Sequence, residues 1–138
     1  MRYLLDTNVL SELSKRSPDK AVLTWFERKD GDDLYLCSIT IGEIAYGIER
    51  LADGRRKQEL NDWFKDVLIN WFAGRIVSLD ADVMRCWAQI KASNRTLPVM
   101  GSLIAAAAIT SGSVLVTRNS KDFAGIDGLE VVDPLPMS

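Results

Sequence analysis

The 138-residue chain contains no histidine. This absence excludes Ser-His-Asp and Cys-His catalysis and every metal site that is ligated by histidine. Its two cysteines, Cys37 and Cys86, lie far apart and form no Cys-x-x-Cys pair, so we expect reduced, buried thiols rather than a disulfide or a zinc site. Any chemistry must therefore come from carboxylates, amides, hydroxyls, cations or a hard metal ion.

Long apolar runs and an excess of charge are also absent. No segment approaches the roughly 18 apolar residues of a membrane-spanning helix, and the first residues lack the pattern of a signal peptide. The net charge of −2 argues against a protein that coats nucleic acid through its bulk charge. With 47% hydrophobic residues, residues 1–138 are expected to form one soluble, cytoplasmic domain without a membrane partner.

Short apolar runs alternate with helical patterns along the chain, which is typical of βα units. The predicted strands are residues 2–5, 34–38, 75–79, 114–117 and 130–132. The predicted helices start at about residue 9 and then cover residues 21–28, 40–51, 55–72, 81–93 and 102–111. Because the strands are apolar throughout, we expect an α/β fold with helices on both faces of the sheet.

Asp6 directly follows the first strand, where active sites lie in open parallel α/β sheets. Thr7 or Asn8 is then expected to cap the following helix. The plainer interpretation is that Asp6 itself merely caps that helix. Glu43 is similarly ambiguous, because Thr40 and Glu43 match the spacing of a capping box.

Three acids lie near predicted strand ends or early helix turns: Asp6, Glu43 and Asp122. Carboxylates that converge without basic partners repel one another, and a divalent cation commonly offsets that cost. Mg²⁺ and Mn²⁺ suit sites that are built from oxygen ligands, and a water activated by such a metal attacks phosphorus at neutral pH. Scattered acids more often belong to solvated surfaces, so this pattern alone leaves both interpretations open.

Four segments together resemble the PIN-domain ribonucleases, and more narrowly the VapC- and FitB-type toxins of bacterial toxin–antitoxin pairs. They are Leu5 to Leu10, Thr40 to Gly47, Leu97 to Ala105 and Thr117 to Phe123, in the right order over nearly the whole chain. For residues 1–138 the resemblance implies a three-layer α/β/α domain with a central, mostly parallel five-stranded sheet.

The same resemblance implies an activity and partners. The expected protein is an endoribonuclease toxin that uses Mg²⁺ or Mn²⁺ to cleave RNA phosphodiester bonds. It forms a homodimer, is inhibited by a cognate VapB- or FitA-like antitoxin, and contacts DNA only indirectly through that antitoxin.

Position by position, the resemblance places Asp6 and Glu43 at the first two acids of the family's acidic site. Its fourth position falls at Asn119 or Asp122, with Asp122 as the expected anion and Asn119 as an amide ligand or a group that positions water. The residues expected to orient these carboxylates and waters are Thr7, Asn8 and Thr117.

Gly101 departs from the family pattern, which has an acid immediately before the segment that begins here at Ser102. One interpretation is a turn or N-cap glycine before a helix capped by Ser102. We favour the other, in which a catalytic and metal-binding Asp has been replaced at Gly101, by natural decay or by deliberate inactivation. The prediction is then an impaired nuclease, and the alternative is a catalytically inactive PIN-fold module that binds antitoxin and holds RNA without cutting it.

Basic and aromatic residues supply further candidates for contacts with partners. The cations considered for RNA phosphates are Lys15, Arg16, Arg28, Lys29, Arg50, Arg55, Arg56, Lys57, Lys91 and Arg95. Arg118 is expected to pair with the site's acids when metal is absent. Trp25, Trp63 and Trp71 are expected to be exposed in the isolated chain and to become partly buried against an antitoxin or a second copy of the chain.

Overall fold

A central sheet organises residues 1–134, which a computed structural model describes; residues 135–138 of the predicted domain lie outside the described residues. Its strands are β1 (Arg2–Leu5), β2 (Leu34–Cys37), β3 (Ile76–Val77), β4 (Ser113–Val116) and β5 (Val131–Val132). They pair in the order β3-β2-β1-β4-β5, and every pairing is parallel. The predicted mostly parallel, five-stranded sheet is confirmed.

Helices connect successive strands. They are α1 (Thr7–Leu10), α2 (Lys20–Glu27), α3 (Ser38–Glu49), α4 (Arg55–Asp62), α5 (Ile69–Trp71), α6 (Ala81–Ser93) and α7 (Val99–Thr110). Short 3₁₀ turns occupy Ser11–Ser14, Gly31–Asp33 and Ser120–Phe123. Along residues 1–134, no helix is long and apolar enough to cross a membrane.

Successive residues of β1 bury opposite faces of the sheet. Leu4 is fully buried in the cluster that contains α6 and α7, whereas Leu5 is fully buried in the cluster with α1, α2 and the α4–α5 region. This alternation follows from the two-residue repeat of a strand, and helices on both sides keep the parallel sheet out of water. The predicted three-layer α/β/α architecture is therefore confirmed.

The predicted helix over residues 55–72 contains an irregularity. The chain is helical from Arg55 to Trp71, but Trp63–Leu68 between α4 and α5 is π-helical. A π-helical turn takes more residues than an α-helical turn, so the apolar residues before and after it are rotated relative to a regular helix.

Asp6 is the N-cap of α1, as its plainer interpretation predicted, whereas the caps predicted at Thr7 or Asn8, at Thr40 and at Ser102 were wrong. Asp6 caps α1, since its Oδ1 accepts a 2.7 Å hydrogen bond from the backbone N–H of Thr7. Helix α3 begins at Ser38, so Thr40 lies buried within it. Helix α7 begins at Val99, and Ser102 is fully buried inside it.

The cysteine and tryptophan predictions held only in part. Both cysteines are free thiols, but only Cys37 is buried and Cys86 is half-buried. Trp71 is exposed, whereas Trp25 and Trp63 are half-buried.

Candidate active site

The ends of β1 and β4 bring Asp6 and Thr117 together. Leu5 pairs with Val116 in the sheet, and the backbone N–H of Asp6 continues the ladder to the carbonyl of Val116 at 2.9 Å. The fully buried Thr117 donates its hydroxyl to Asp6 Oδ2 at 2.7 Å. Asp6 is thus held at the carboxyl edge of the sheet with both carboxylate oxygens hydrogen-bonded.

Thr7 joins Asp6 to Glu43. Its backbone N–H donates to Asp6 at 2.7 Å, and its hydroxyl donates to Glu43 Oε1 at 2.6 Å. Glu43 lies in the second turn of α3 rather than three residues after an N-cap, so the capping-box interpretation is wrong. Both predicted acids therefore meet around a single threonine.

Asn8 and Thr117 tie the loop after β4 to the loop after β1. The Asn8 side-chain amide donates to Thr117 Oγ1 at 3.3 Å, and its Oδ1 accepts from the backbone N–H of Arg118 at 3.2 Å. Thr117 Oγ1 also accepts from the backbone N–H of Asn119 at 3.1 Å. These contacts suit the orienting role that was predicted for Thr7, Asn8 and Thr117.

An open cavity of about 360 Å³ contains all the predicted site positions. Its polar and small lining residues are Asp6, Thr7, Asn8, Glu43, Gly101, Asn119 and Asp122. Its apolar lining residues, which were not predicted, are Leu97, Pro98, Met100, Ile104 and Phe123. The signal for these was available, since all lie within segments that carry the family resemblance.

Gly101 lies in the first turn of α7, and its φ is outside the left-handed region that favours glycine. A Cβ at this position would meet only the Phe123 ring, at 3.7 Å, which is ordinary van der Waals contact. The interpretation of Gly101 as a turn or N-cap glycine is therefore wrong. The backbone accepts a side chain here, and that side chain would lie at the wall of the cavity.

The cavity carries acidic groups without cations. Burial raises the pKa of Asp6, although the hydrogen bonds from Thr117 and Thr7 oppose the increase. Among the described residues no lysine or arginine lines the cavity. Arg118 does not pair with the site's acids as predicted, because its guanidinium binds Glu12 at 2.9 Å.

The cations predicted to contact phosphate lie outside this cavity. Those that bind other protein groups through an ion pair or hydrogen bond are Lys15, Arg55, Arg56, Lys57 and Lys91. Lys29 lies over the Tyr3 and Trp25 rings, and Arg50 over the Tyr46 ring. A phosphate role for Arg16, Arg28 and Arg95 stays a prediction.

The donor set fits a weak site for a hard divalent cation. Asp6 and Glu43 supply carboxylates around Thr7, Asn119 adds an amide, and Mg²⁺ characteristically binds through one or two carboxylates and several waters. Within residues 1–134, however, no three Asp, Glu, Cys or His side chains come close enough to hold a metal ion. Asp122 is exposed and does not complete a three-carboxylate group with Asp6 and Glu43.

Comparison with known proteins identifies the class. The PIN domain family model matches residues 3–129, and the chain belongs to that family. It is 33% identical over 135 residues to VapC ribonuclease Y4jK of Sinorhizobium fredii, covering 95% of this chain and 96% of the relative.

Toxin FitB of Neisseria gonorrhoeae is a second relative, with 32% identity over 128 residues that cover 90% of this chain and 92% of the toxin. A structure of FitAB bound to a DNA fragment superposes with a TM-score of 0.90 at 31% identity, covering 99% of this chain and 97% of the other. The chain is thus a PIN-domain protein of the VapC and FitB toxin type.

Proposed function

We propose that this protein is the endoribonuclease toxin of a toxin–antitoxin pair, that it requires Mg²⁺ or Mn²⁺, and that Gly101 impairs it. The observation that carries the proposal is the bridge through Thr7, which holds the Asp6 and Glu43 carboxylates around one residue in an open cavity. The names of the relatives, a VapC ribonuclease and the toxin FitB, support the reaction class and the biological setting.

Asp6 and Glu43 would hold the cation directly, with Asn119 as an amide ligand or a group that positions water. When bound, such a cation offsets phosphate charge and lowers the pKa of water. Thr117 and Thr7 keep the carboxylate oxygens of Asp6 in place, and Thr7 also holds Glu43. Since no lysine or arginine among the described residues lines the cavity, an RNA phosphate entering it would meet uncompensated negative charge.

A carboxylate missing at position 101 would remove a large part of the electrostatic energy that holds a divalent cation. Two unit charges 4 Å apart interact by about 4 kcal/mol at an effective dielectric constant of about 20, so a divalent ion and one carboxylate approach about 8 kcal/mol before desolvation is subtracted. Losing even part of this attraction would leave the site mostly empty at millimolar Mg²⁺. With Gly101 at this position, we therefore expect the toxin to have little activity.

The second candidate is an inactive PIN-fold module that binds an antitoxin and holds RNA. The absence of a three-carboxylate group among residues 1–134 favours it. An apolar cavity of about 360 Å³ offers the antitoxin a docking surface, with Trp63, Val67 and Trp71 on its walls. The structure of the FitAB complex supports such a partner, because FitB is a relative of this chain.

RNA cleavage by the unaltered chain and by G101D, each with Mn²⁺ and with chelator, separates the two candidates. The nuclease proposal expects Mn²⁺-dependent cleavage by G101D and weak or no cleavage by the unaltered chain. G101N is the matched control, because it adds a side chain of similar size without the charge. A G101D protein that binds RNA but does not cut it with Mn²⁺ supports the inactive module instead.

A further inference from the structure

Glu12 is a buried acid outside the candidate active site. It lies in the 3₁₀ turn Ser11–Ser14 that follows α1, and only 4% of the residue is exposed. Oε2 accepts hydrogen bonds from Lys15 Nζ at 2.7 Å and from Arg118 Nη1 at 2.9 Å, while Oε1 accepts from the backbone N–H of Asp19 at 2.8 Å. Both oxygens are therefore bonded, and the acid is held in one orientation.

Arg118 connects this buried acid to the site. Its guanidinium binds Glu12, while its backbone N–H donates to Asn8 Oδ1 at 3.2 Å. Its neighbours along the chain are Thr117, which binds Asp6, and Asn119, which lines the site cavity. The ion pair thus fixes the guanidinium of Arg118 while Asn8 holds its backbone, and together these contacts fix the short segment that contains Thr117 and Asn119.

Stability alone gives a weak reason for this arrangement. A buried ion pair loses hydration, and an apolar pair of similar size is often equally stable or more so. What the ion pair provides is a fixed distance between the 3₁₀ turn after α1 and the loop after β4, which are 106 residues apart in sequence at this contact. Helix α1 begins directly after Asp6, and the loop after β4 contains Asn119.

We propose that Glu12 is a positioning residue for the candidate active site. By holding Arg118, it fixes residues 117–119 against Asn8 and keeps the Thr117 hydroxyl on the Asp6 carboxylate. The expected effect of Glu12 on metal affinity rests on the proposed function, whereas its expected effect on the order of residues 117–119 does not.

The test compares E12Q and R118M with K15M. Lys15 is the matched control, because it pairs with the same Glu12 oxygen as Arg118 but belongs to neither segment that lines the site. The first readout is backbone amide hydrogen exchange of Arg118 and Asn119 by NMR, with the amides of β1 reporting global unfolding. The second is the Mn²⁺ dissociation constant by calorimetry, measured in the G101D background so that binding is strong enough to follow.

We expect E12Q and R118M to speed amide exchange at Arg118 and Asn119 by a factor of about 5–30, because one or two hydrogen bonds are lost. The exchange rates of the β1 amides should change less. We expect the Mn²⁺ dissociation constant to rise about tenfold, which is the smaller end of the roughly 10- to 100-fold loss of affinity seen when a group that orients a metal ligand is removed. The double variant should add little to either single one, because both act on the same contact: E12Q removes the charge of the acceptor and R118M removes the donor. K15M should leave the exchange of both amides and the Mn²⁺ affinity near those of the parent.

The proposal is overturned if E12Q and R118M leave exchange at Arg118 and Asn119 unchanged, or if K15M changes it equally. Unaltered Mn²⁺ affinity beside faster loop exchange also overturns it, since the loop would then move without affecting Asp6. If the G101D protein itself binds no Mn²⁺, the proposed function fails, and the exchange measurements still decide whether Glu12 fixes the loop.

Discussion

The Thr7 hydroxyl lies 2.6 Å from Glu43 Oε1, across 36 residues of sequence. Since the adjacent backbone N–H of Thr7 binds Asp6, one residue sets the positions of two carboxylates that would otherwise repel each other. Two neighbouring parallel strands, β1 and β2, supply this geometry, because each ends at the same edge of the sheet. The closeness of Asp6 and Glu43 therefore follows from the order and direction of the strands more than from the conformation of either loop.

Replacing Thr7 with Val should loosen Glu43 and spare Asp6, because the backbone N–H that binds Asp6 is retained. We expect the Mn²⁺ dissociation constant, measured by calorimetry in the G101D background, to rise about 10-fold or more. The cost in unfolding free energy should be about 1 kcal/mol, the usual net value of one hydrogen bond. T24V on the exposed face of α2 is the control, and equal Mn²⁺ affinities in the two variants would show that the bridge does not serve metal binding.

The strands were predictable because each is a short apolar run, and the inner strands are buried on both faces, as Leu4 and Leu5 of β1 show. The edge strands β3 and β5 are half-buried. The starts of α3 and α7 were not predictable, because Cys37 and Pro98 precede these helices and neither makes a side-chain capping bond. Because Ser and Thr are common N-caps, the sequence pattern favours Thr40 and Ser102 as caps. Both are instead buried polar residues inside helices, and Ser102 accepts a hydrogen bond from the Trp87 indole at 2.9 Å.

The residues that line the candidate site were predictable from the sequence, but the hydrogen bonds and ion pairs that hold them in place were not. Asp6, Glu43, Gly101, Asn119 and Asp122 all line one cavity, as the motifs indicated. Glu12 was missed because a single acid after an apolar turn has the pattern of a surface residue. Only folding reveals its burial, since its partner Arg118 comes from the other end of the chain.

Acid should weaken the fold through Glu12. The hydrogen bond from Lys15, then that from the backbone of Asp19, lower the pKa of Glu12 below its ordinary 4.5, and the nearby charges of Lys15 and Arg118 add to this despite burial. The stabilisation is therefore fully present above the unfolded pKa and is lost as the pH falls through the lower, folded pKa. Denaturant unfolding of the unaltered chain and of E12Q should show a smaller loss of stability in E12Q below about pH 4.5.

Asp6 should have the opposite effect, which makes D6N the informative comparison. Burial raises its folded pKa above 3.8, so its ionised form destabilises the metal-free fold at neutral pH, and protonation in acid relieves that cost. D6N in chelator should therefore lose more stability than the unaltered chain as the pH falls. Parallel pH profiles for the D6N and unaltered proteins would contradict the raised pKa.

Substitutions at Gly101 should separate helix energetics from metal binding. G101A should stabilise the fold by about 0.5–1 kcal/mol, because alanine loses less backbone freedom in a helix and its Cβ meets Phe123 at an ordinary 3.7 Å. G101D adds a negative charge in the first turn of α7, where interaction with the helix dipole stabilises the fold by about 0.3–1 kcal/mol. Repulsion from the Asp6 and Glu43 carboxylates opposes this stabilisation. Calorimetric unfolding with chelator and with Mn²⁺ should show a larger Mn²⁺-induced rise in Tm for G101D than for G101A, because only G101D adds a ligand. Equal rises would mean that position 101 does not belong to the metal site.

Truncation of Trp71 should weaken the proposed antitoxin contact more than it weakens the fold. Trp71 is 48% exposed and lines the apolar cavity beside Val67, which is 55% exposed. Exposed tryptophans at the centre of an apolar cavity are typical binding hot spots, so W71A should raise the dissociation constant by about 30-fold or more. The measurement is a calorimetric titration with a purified VapB- or FitA-like antitoxin that binds the unaltered chain. The control is M84A, which removes a partly exposed apolar side chain from α6 on the other face of the sheet. If W71A and M84A bind that antitoxin equally well, the partner docks elsewhere and the apolar cavity has no part in toxin control.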